Sequence, residues 1–367
     1  MLTEQINQTP NPLVLQAEDA LKRWIEPHMG CDLLGAGAVR RVEAYTYRLF
    51  VDLHLEFPAE QYQHLLRREL QAWLLQQTQA QVVEVGITWA VPAPAQNSQS
   101  VPGVKHLIAV ASGKGGVGKS TTATNLALAL AAEGARVGML DADLYGPSQP
   151  LLLGLSGLPD SPDGKHLKPL LGHGIQTMSI GFLIDDQTPV IWRGPMITQA
   201  LGRLLNDTRW QDLDYLIIDM PPGTGDVHLT LAQSMPVSAA LIVTTPQDLA
   251  LLDARKGLRM FEKVNVPVLG IIENMSTHIC SQCGHEEAIF GQGGASRMAA
   301  QCDTELLGQL PLDMRIRQGA DAGQPVLVSD PGGSLARAYT DIALRAAGRL
   351  TQLGRSSAQQ MPKIIVD

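Results

Sequence analysis

The sequence predicts an α/β protein built on a mostly parallel β-sheet flanked by helices, with a small N-terminal α+β domain ahead of it. Three observations carry that prediction. Beyond residue 105, short continuous apolar runs alternate with segments of helical period, the pattern of a sheet covered on both faces. A glycine-rich turn, GKGGVGKST (113–121), separates the first of those runs from the first helix. Residues 13–92 follow a different rhythm, and PAPAQNSQSVPGV (92–104) sets them apart as an exposed linker. The expected organisation is an α+β domain over 1–92, a linker over 93–104, the main α/β domain over 105–355 and a flexible tail over 356–367.

In the first domain, LVLQAEDALKRWIEPH reads as a helix. AVRRVEAYTYRLFVDLHLEF alternates like two strands around a turn, AEQYQHLLRRELQAWLLQQT is a second helix, and AQVVEVGITWAV is a last strand. In the main domain the strands are HLIAVAS, ARVGMLDAD, DYLIIDMPP, AALIVTTP, VPVLGIIENMS and ELLGQLPL. PMITQALGRLLND and LALLDARKGLRMFEKV are helices between them.

The chain has 367 residues, 45% of them hydrophobic, enough for a full core, with two domains the natural division. A net charge of −8 provides no general footprint for nucleic acid. The start, MLTEQINQTPNP, lacks the apolar core of a signal peptide, and no run reaches the ~18 apolar residues of a spanning helix. A soluble cytoplasmic protein without membrane or nucleic-acid partners is expected.

Gly113 to Ser120 fits G-x-x-x-x-G-K-[ST] between a strand and a helix, the context that validates a P-loop. Gly113, Gly115, Gly116, Val117 and Gly118 would turn backbone N–H groups toward phosphate at a helix N-terminus. Lys119 would neutralise the β- and γ-phosphates of ATP, and Ser120, followed by Thr121, would bind magnesium. Lys114 places a second cation in a variable position of the motif. Asp141 and Asp143 end the strand MLDAD, and Asp219 ends LIID, where a Walker B carboxylate sits. Such carboxylates also serve as plain helix caps.

The four cysteines are too few and too uneven for a disulfide framework. Cys280 and Cys283 form a C-x-x-C turn after VPVLGIIENMS, with His278 and His285 nearby. The context is wrong for a thioredoxin-like site. A self-contained zinc site and an iron–sulfur cluster shared across a two-fold axis both remain open on the residues alone. Cys31 and Cys302 read as structural.

KGGVGKST resembles the deviant Walker A motif of MinD/ParA-like ATPases. With LDADLYGPS, WRGPM (192–196), DYLIIDMPPGTGD, TTPQ, the C-x-x-C pair and FGQGG, residues 104–340 resemble the Mrp/ApbC-type iron–sulfur cluster carrier ATPases. The resemblance implies that Lys114 crosses to the partner's nucleotide in an ATP sandwich homodimer. It also implies that Asp143 orients the attacking water, that Asp219 and PPGTGD form switch II, and that Asn274 reads adenine. Cys280 and Cys283 would hold a 4Fe–4S cluster between two subunits, destined for apo iron–sulfur proteins, with a cluster-assembly scaffold as a further partner and slow ATP hydrolysis as the regulator. The first domain resembles the MIP18-like fusion partner of that family. It lacks a cysteine in HLEFPAEQYQ, so partner binding is expected of it rather than chemistry. A positioning ATPase that cycles on a membrane is the alternative of another class, as is a dimer braced by structural zinc. The membrane alternative would need a basic amphipathic tail, which RSSAQQMPKIIVD is not.

Overall fold

The computed structural model describes residues 11–94, 100–184, 194–280 and 282–360, and it divides into two units, Met1–Val91 and Pro92–Asp367. The first unit opens with α1 (Pro12–Arg23), followed by the short strands β1 (Ile25–Glu26) and β2 (Cys31–Asp32). Asn11 caps α1 and Pro12 supplies a pre-set first turn, but the helix stops at Arg23 instead of running on to His28. Pro27 has no N–H for a helix interior, and the chain turns there into a two-stranded hairpin.

Next come β3 (Val39–Tyr45), β4 (Arg48–Leu55), α2 (Tyr62–Gln77) and β5 (Val82–Trp89). β3 and β4 are antiparallel, and β5 joins β4 in parallel through the α2 crossover. Every second residue of β4, and of β5 up to Ile87, is buried, so this sheet has one covered face. Tyr62, Leu66, Leu70 and Leu74 of α2, spaced by four, cover it.

The second unit is built on an eight-stranded sheet, with a separate two-stranded hairpin. In chain order it contains β6 (Val104–Ser112), α3 (Lys119–Ala132), β7 (Val137–Asp141), α4 (Gln149–Leu152), β8 (Leu170–Gly172), β9 (Ile175–Ser179) and α5 (Gly194–Asn206). β10 (Leu213–Pro222), α6 (Asp226–Ser234), β11 (Ala239–Thr244), α7 (Asp248–Lys263) and β12 (Val268–Glu273) follow. The chain ends with β13 (His278–Ile279), β14 (Glu286–Glu287), α8 (Gly294–Gln301), β15 (Leu306–Gln309), α9 (Met314–Asp321), α10 (Val326–Ser329) and α11 (Ser334–Gln360).

Spatially the strands run β15-β12-β11-β6-β10-β7-β9-β8, all parallel except the edge strand β8. β7, β11 and nearly all of β10 are buried at every position, which is why they read as unbroken apolar runs. α3 and α11 pack together on one face, and α7 and α8 cover the other. Ten of the fourteen residues of α3 are buried, so this helix is apolar around most of its circumference.

Two differences from the sequence reading stand out. β8 and β9 extend the sheet beyond β7, although LLGHGIQTMS carries too little apolar periodicity to announce them. The expected loose tail from 356 is helical through Gln360, because RSSAQQ contains no breaker before Pro362. Trp192 and Arg193 of the WRGPM stretch lie outside the described residues, and Gly194 opens α5. Among the described residues, no helix is long and apolar enough to cross a membrane.

Candidate nucleotide and thiol sites

β6 lies at the centre of the sheet, between β11 and β10, which is the switch point where open α/β sheets bind ligands at the carboxyl ends of their strands. Its carboxyl end delivers the chain into the glycine turn. Gly116 and Gly118 both adopt φ of 83°, a left-handed conformation that lets successive N–H groups face one side. Gly118 is also the N-cap of α3 and has no side-chain cap, so the first-turn amides of α3 are available to an anion.

The turn is held tightly from behind. A Cβ on Gly118 would sit 2.2 Å from Asn274 Nδ2, and one on Gly113 would sit 2.2 Å from the Asp253 carbonyl carbon at the start of α7. Asn274 donates through Nδ2 to the Val117 carbonyl (2.8 Å), while its Oδ1 accepts from Met275 N (3.0 Å). Its amide therefore braces the P-loop backbone, a contact the sequence did not disclose.

The charged residues converge on the same spot. The Lys119 ammonium donates to Asp219 and, at 3.1 Å, to Ser120 Oγ. Asp219 is fully buried, and its second oxygen accepts from Gln149 Nε2 at 2.9 Å. Gln149 reaches the Ser120 carbonyl with the same nitrogen (3.3 Å) and accepts from Thr124 Oγ1 (2.7 Å). Gln149 thus ties α4 to both the P-loop helix and the Walker B carboxylate. Sequence reasoning missed it, because the only clue was its place just after LDADLYGPS.

Asp141 and Asp143 divide their roles. Asp141 is fully buried and accepts from Asp143 N (3.2 Å), Ser148 N, Gln149 N and Ser179 Oγ (3.0 Å each). Burial, reinforced by the Asp219 charge, pushes it up to about 7 despite those donors. It is an anchor for the loop, not a reactive group. Asp143 remains half-buried and is raised by burial, with Lys119 pulling the opposite way and Asp219 adding to the rise. That leaves Asp143 in the field of the P-loop lysine. Lys114 is half-buried and makes no side-chain ion pair among the described residues; its carbonyl accepts from Ser112 Oγ at 3.0 Å.

A second missed residue sits behind switch II. His228 of α6 is 5% exposed, and its Nε2–H donates to the Pro221 carbonyl at 2.7 Å. Burial holds this imidazole below its ordinary value, and its buried Nδ1 has no partner among the described residues.

The cysteine pair occupies the tip of the β13–β14 hairpin. Cys280 N donates to the His285 carbonyl and Gly284 N to the Cys280 carbonyl, each at 2.9 Å, and Gly284 turns the chain at φ 71°. Cys280 is half-buried and Cys283 exposed. The backbone N–H groups of Gln282 and Cys283, then the Cys283 side chain, hold the Cys280 thiol below its ordinary value, which favours the thiolate that metals bind. His278 is committed to the Leu312 carbonyl at 3.0 Å. Among the described residues no group of three His, Cys, Asp or Glu side chains gathers to hold a metal, so the self-contained zinc site is not assembled. The pair offers two of the four ligands that a tetrahedral metal site takes, and Ile279 and Ile289 are exposed.

The chain resembles proteins already known. A family profile described as ParA, NUBPL iron-transfer P-loop NTPase, matches residues 103–347. The chain is 48% identical to the iron-sulfur cluster carrier protein of Salmonella typhimurium, over 94% of each sequence. It is 49% identical to the iron-sulfur cluster transfer protein NUBPL of Mus musculus, over 75% of this chain and 85% of that one. A solved nucleotide-binding protein from Archaeoglobus fulgidus, in complex with ADP, is 39% identical with a TM-score of 0.56, over 64% of this chain and 91% of its own. With a central P-loop strand, a braced glycine turn and these matches, the chain belongs to the ParA family of P-loop NTPases, in its NUBPL iron-transfer branch.

Proposed function

We propose that this protein is an ATP-regulated iron–sulfur cluster carrier that assembles a 4Fe–4S cluster between two copies of itself and passes it to apo-proteins. One observation carries the proposal: Cys280 and Cys283 stand on an accessible hairpin with no further ligand gathered around them among the described residues. Two thiolates cannot complete the four-cysteine shell of such a cluster, whereas a two-fold axis beside the hairpin doubles them. The names of the bacterial and mouse relatives agree with this cargo.

The nucleotide side follows from the same unit. The residues fit ATP with magnesium, since the left-handed glycines and uncapped α3 amides suit phosphate oxygens and Asp219 stands beside Ser120 and Lys119. Magnesium held by Ser120, and through water by Asp219, would neutralise phosphate charge. Lys119 binds the β- and γ-phosphates, Asp143 orients the attacking water, and Lys114 reaches the nucleotide of the second copy. Asn274 contacts adenine from its position beneath Val117. Hydrolysis is slow and sets the geometry of the dimer, as γ-phosphate contacts set switch loops elsewhere. The first unit serves as a MIP18-like partner-binding module, and the protein works in the cytoplasm.

Anaerobic reconstitution with iron and sulfide tests the reading. Absorbance near ~400 nm should appear at about four irons per two chains and vanish in Cys280→Ala. Retained absorbance in that variant, or a stoichiometric zinc content in protein purified without oxygen, would sink it.

A further inference from the structure

Between α6 and α7 the surface opens into a groove of about 490 Å³. Arg255, Lys256, Arg259 and Lys263 line it, and among the described residues no acidic side chain does. Their spacing along α7 puts them on successive turns of one helix face. Lys256 pairs with Asp253 (2.9 Å) and Arg259 with Glu262 (2.7 Å) outside the groove. Arg255 instead reaches the neutral Gln301, and Lys263 has no carboxylate partner among the described residues. Leu229, Leu252 and Met260 give the groove an apolar floor, with Leu252 54% exposed. The remaining wall is Thr224 and Gly225, from the switch II stretch that follows Asp219.

We propose that this groove docks an acidic, partly apolar segment of a partner protein, and that Thr224 and Gly225 couple its occupancy to the nucleotide site. The docking stands on the groove itself, while the coupling rests on the nucleotide reading above. Cations concentrated on one face of a chain with net charge −8 create a local field of opposite sign, which selects and steers an acidic partner. The aliphatic floor selects further, because it rewards leucine-like side chains between the acids. Nucleic acid fits poorly: the groove offers no aromatic platform for bases, and its concavity is apolar. Contact of the groove with its own two-fold copy would set Arg255 and Lys263, which have no carboxylate partner among the described residues, against the same pair.

The test uses the full chain and a fluorescein-labelled 16-residue helical peptide with glutamates on one face and leucines on the other, followed by anisotropy without nucleotide or iron. Binding should weaken about tenfold or more in Arg255→Glu/Lys263→Glu, weaken with salt, and be absent for the same peptide carrying lysine in place of glutamate. The variant's melting temperature and affinity for a fluorescent ATP analogue should match the wild type, which separates lost docking from lost folding. ATP and ADP should give different peptide affinities, and the peptide should shift nucleotide affinity by the same factor. Equal binding to wild type and variant overturns the docking, as does equal binding of the lysine peptide. Tighter binding of a single-stranded oligonucleotide, lost in the same variant, overturns it in favour of nucleic acid. Peptide binding blind to nucleotide overturns the coupling alone. Failure of cluster reconstitution leaves this result untouched, because the peptide assay contains no cluster.

Discussion

Asp141 shows at the scale of one residue how a carboxylate at a strand end can serve architecture instead of catalysis. Four donors surround it, yet burial and the neighbouring Asp219 charge push it up to about 7, so the fold favours its neutral form. The sign of the pH dependence follows. In the unfolded chain the group ionises near its ordinary 3.8, while in the folded chain it holds its proton to about 7. Its contribution to stability is therefore complete below pH ~4 and is lost as pH rises toward ~7, with a limiting slope of about 1.4 kcal/mol per pH unit. Urea unfolding across that range should show the wild type losing stability more steeply than Asp141→Asn, which cannot titrate. Parallel pH profiles for the two proteins would reject the assignment. Asp143, two residues on and half-buried, keeps the accessibility that a water-orienting group needs.

At the scale of elements, α6 meets the end of β10 through a side-chain bond from His228 Nε2 to the Pro221 carbonyl, beside the turn bonds of His228 N and Leu229 N to the Gly225 carbonyl. His228→Phe keeps the ring volume but strands a buried carbonyl, at about 1–3 kcal/mol. The expected outcome is a lower melting temperature and a several-fold fall in phosphate release at saturating ATP, with affinity for the ATP analogue unchanged. His228→Gln, which can still donate, should recover much of the rate. A melting shift without any rate effect would reduce His228 to a packing residue. This contact also marks the limit of what the sequence discloses. The P-loop, the buried strands and the acidic strand ends are local, because each is written in one stretch of residues. Gln149 and the Asn274 brace act on partners 70 and 157 positions away, and His228 folds back onto the strand end 7 positions before it; no apolar period or motif records those meetings. β8 and β9 escaped for another reason: they are short strands at one end of the sheet, and their places are set by pairing, β9 with β7 and the edge strand β8 with β9, not by apolar periodicity.

For the whole molecule, the division of labour between the two units decides where assembly must occur. The P-loop, Asp143, Asp219 and the cysteine hairpin all lie in the second unit. One chain of 39.5 kDa then presents a complete nucleotide turn but only two thiols on its hairpin. A four-cysteine shell requires a second chain, and an isologous contact is the simplest way to supply it. Sedimentation of partly reconstituted protein, followed at ~400 nm, reads only the loaded species and so separates the cases. The chromophore should travel with twice the 39.5 kDa mass at every level of loading, while unloaded chains, read at 280 nm without ATP, sediment independently of it. Chromophore moving at the mass of a single chain would mean that one hairpin, with ligands from elsewhere in its own chain, suffices. The shared-cluster mechanism would then fall, even though the P-loop and its bracing contacts would stand unchanged.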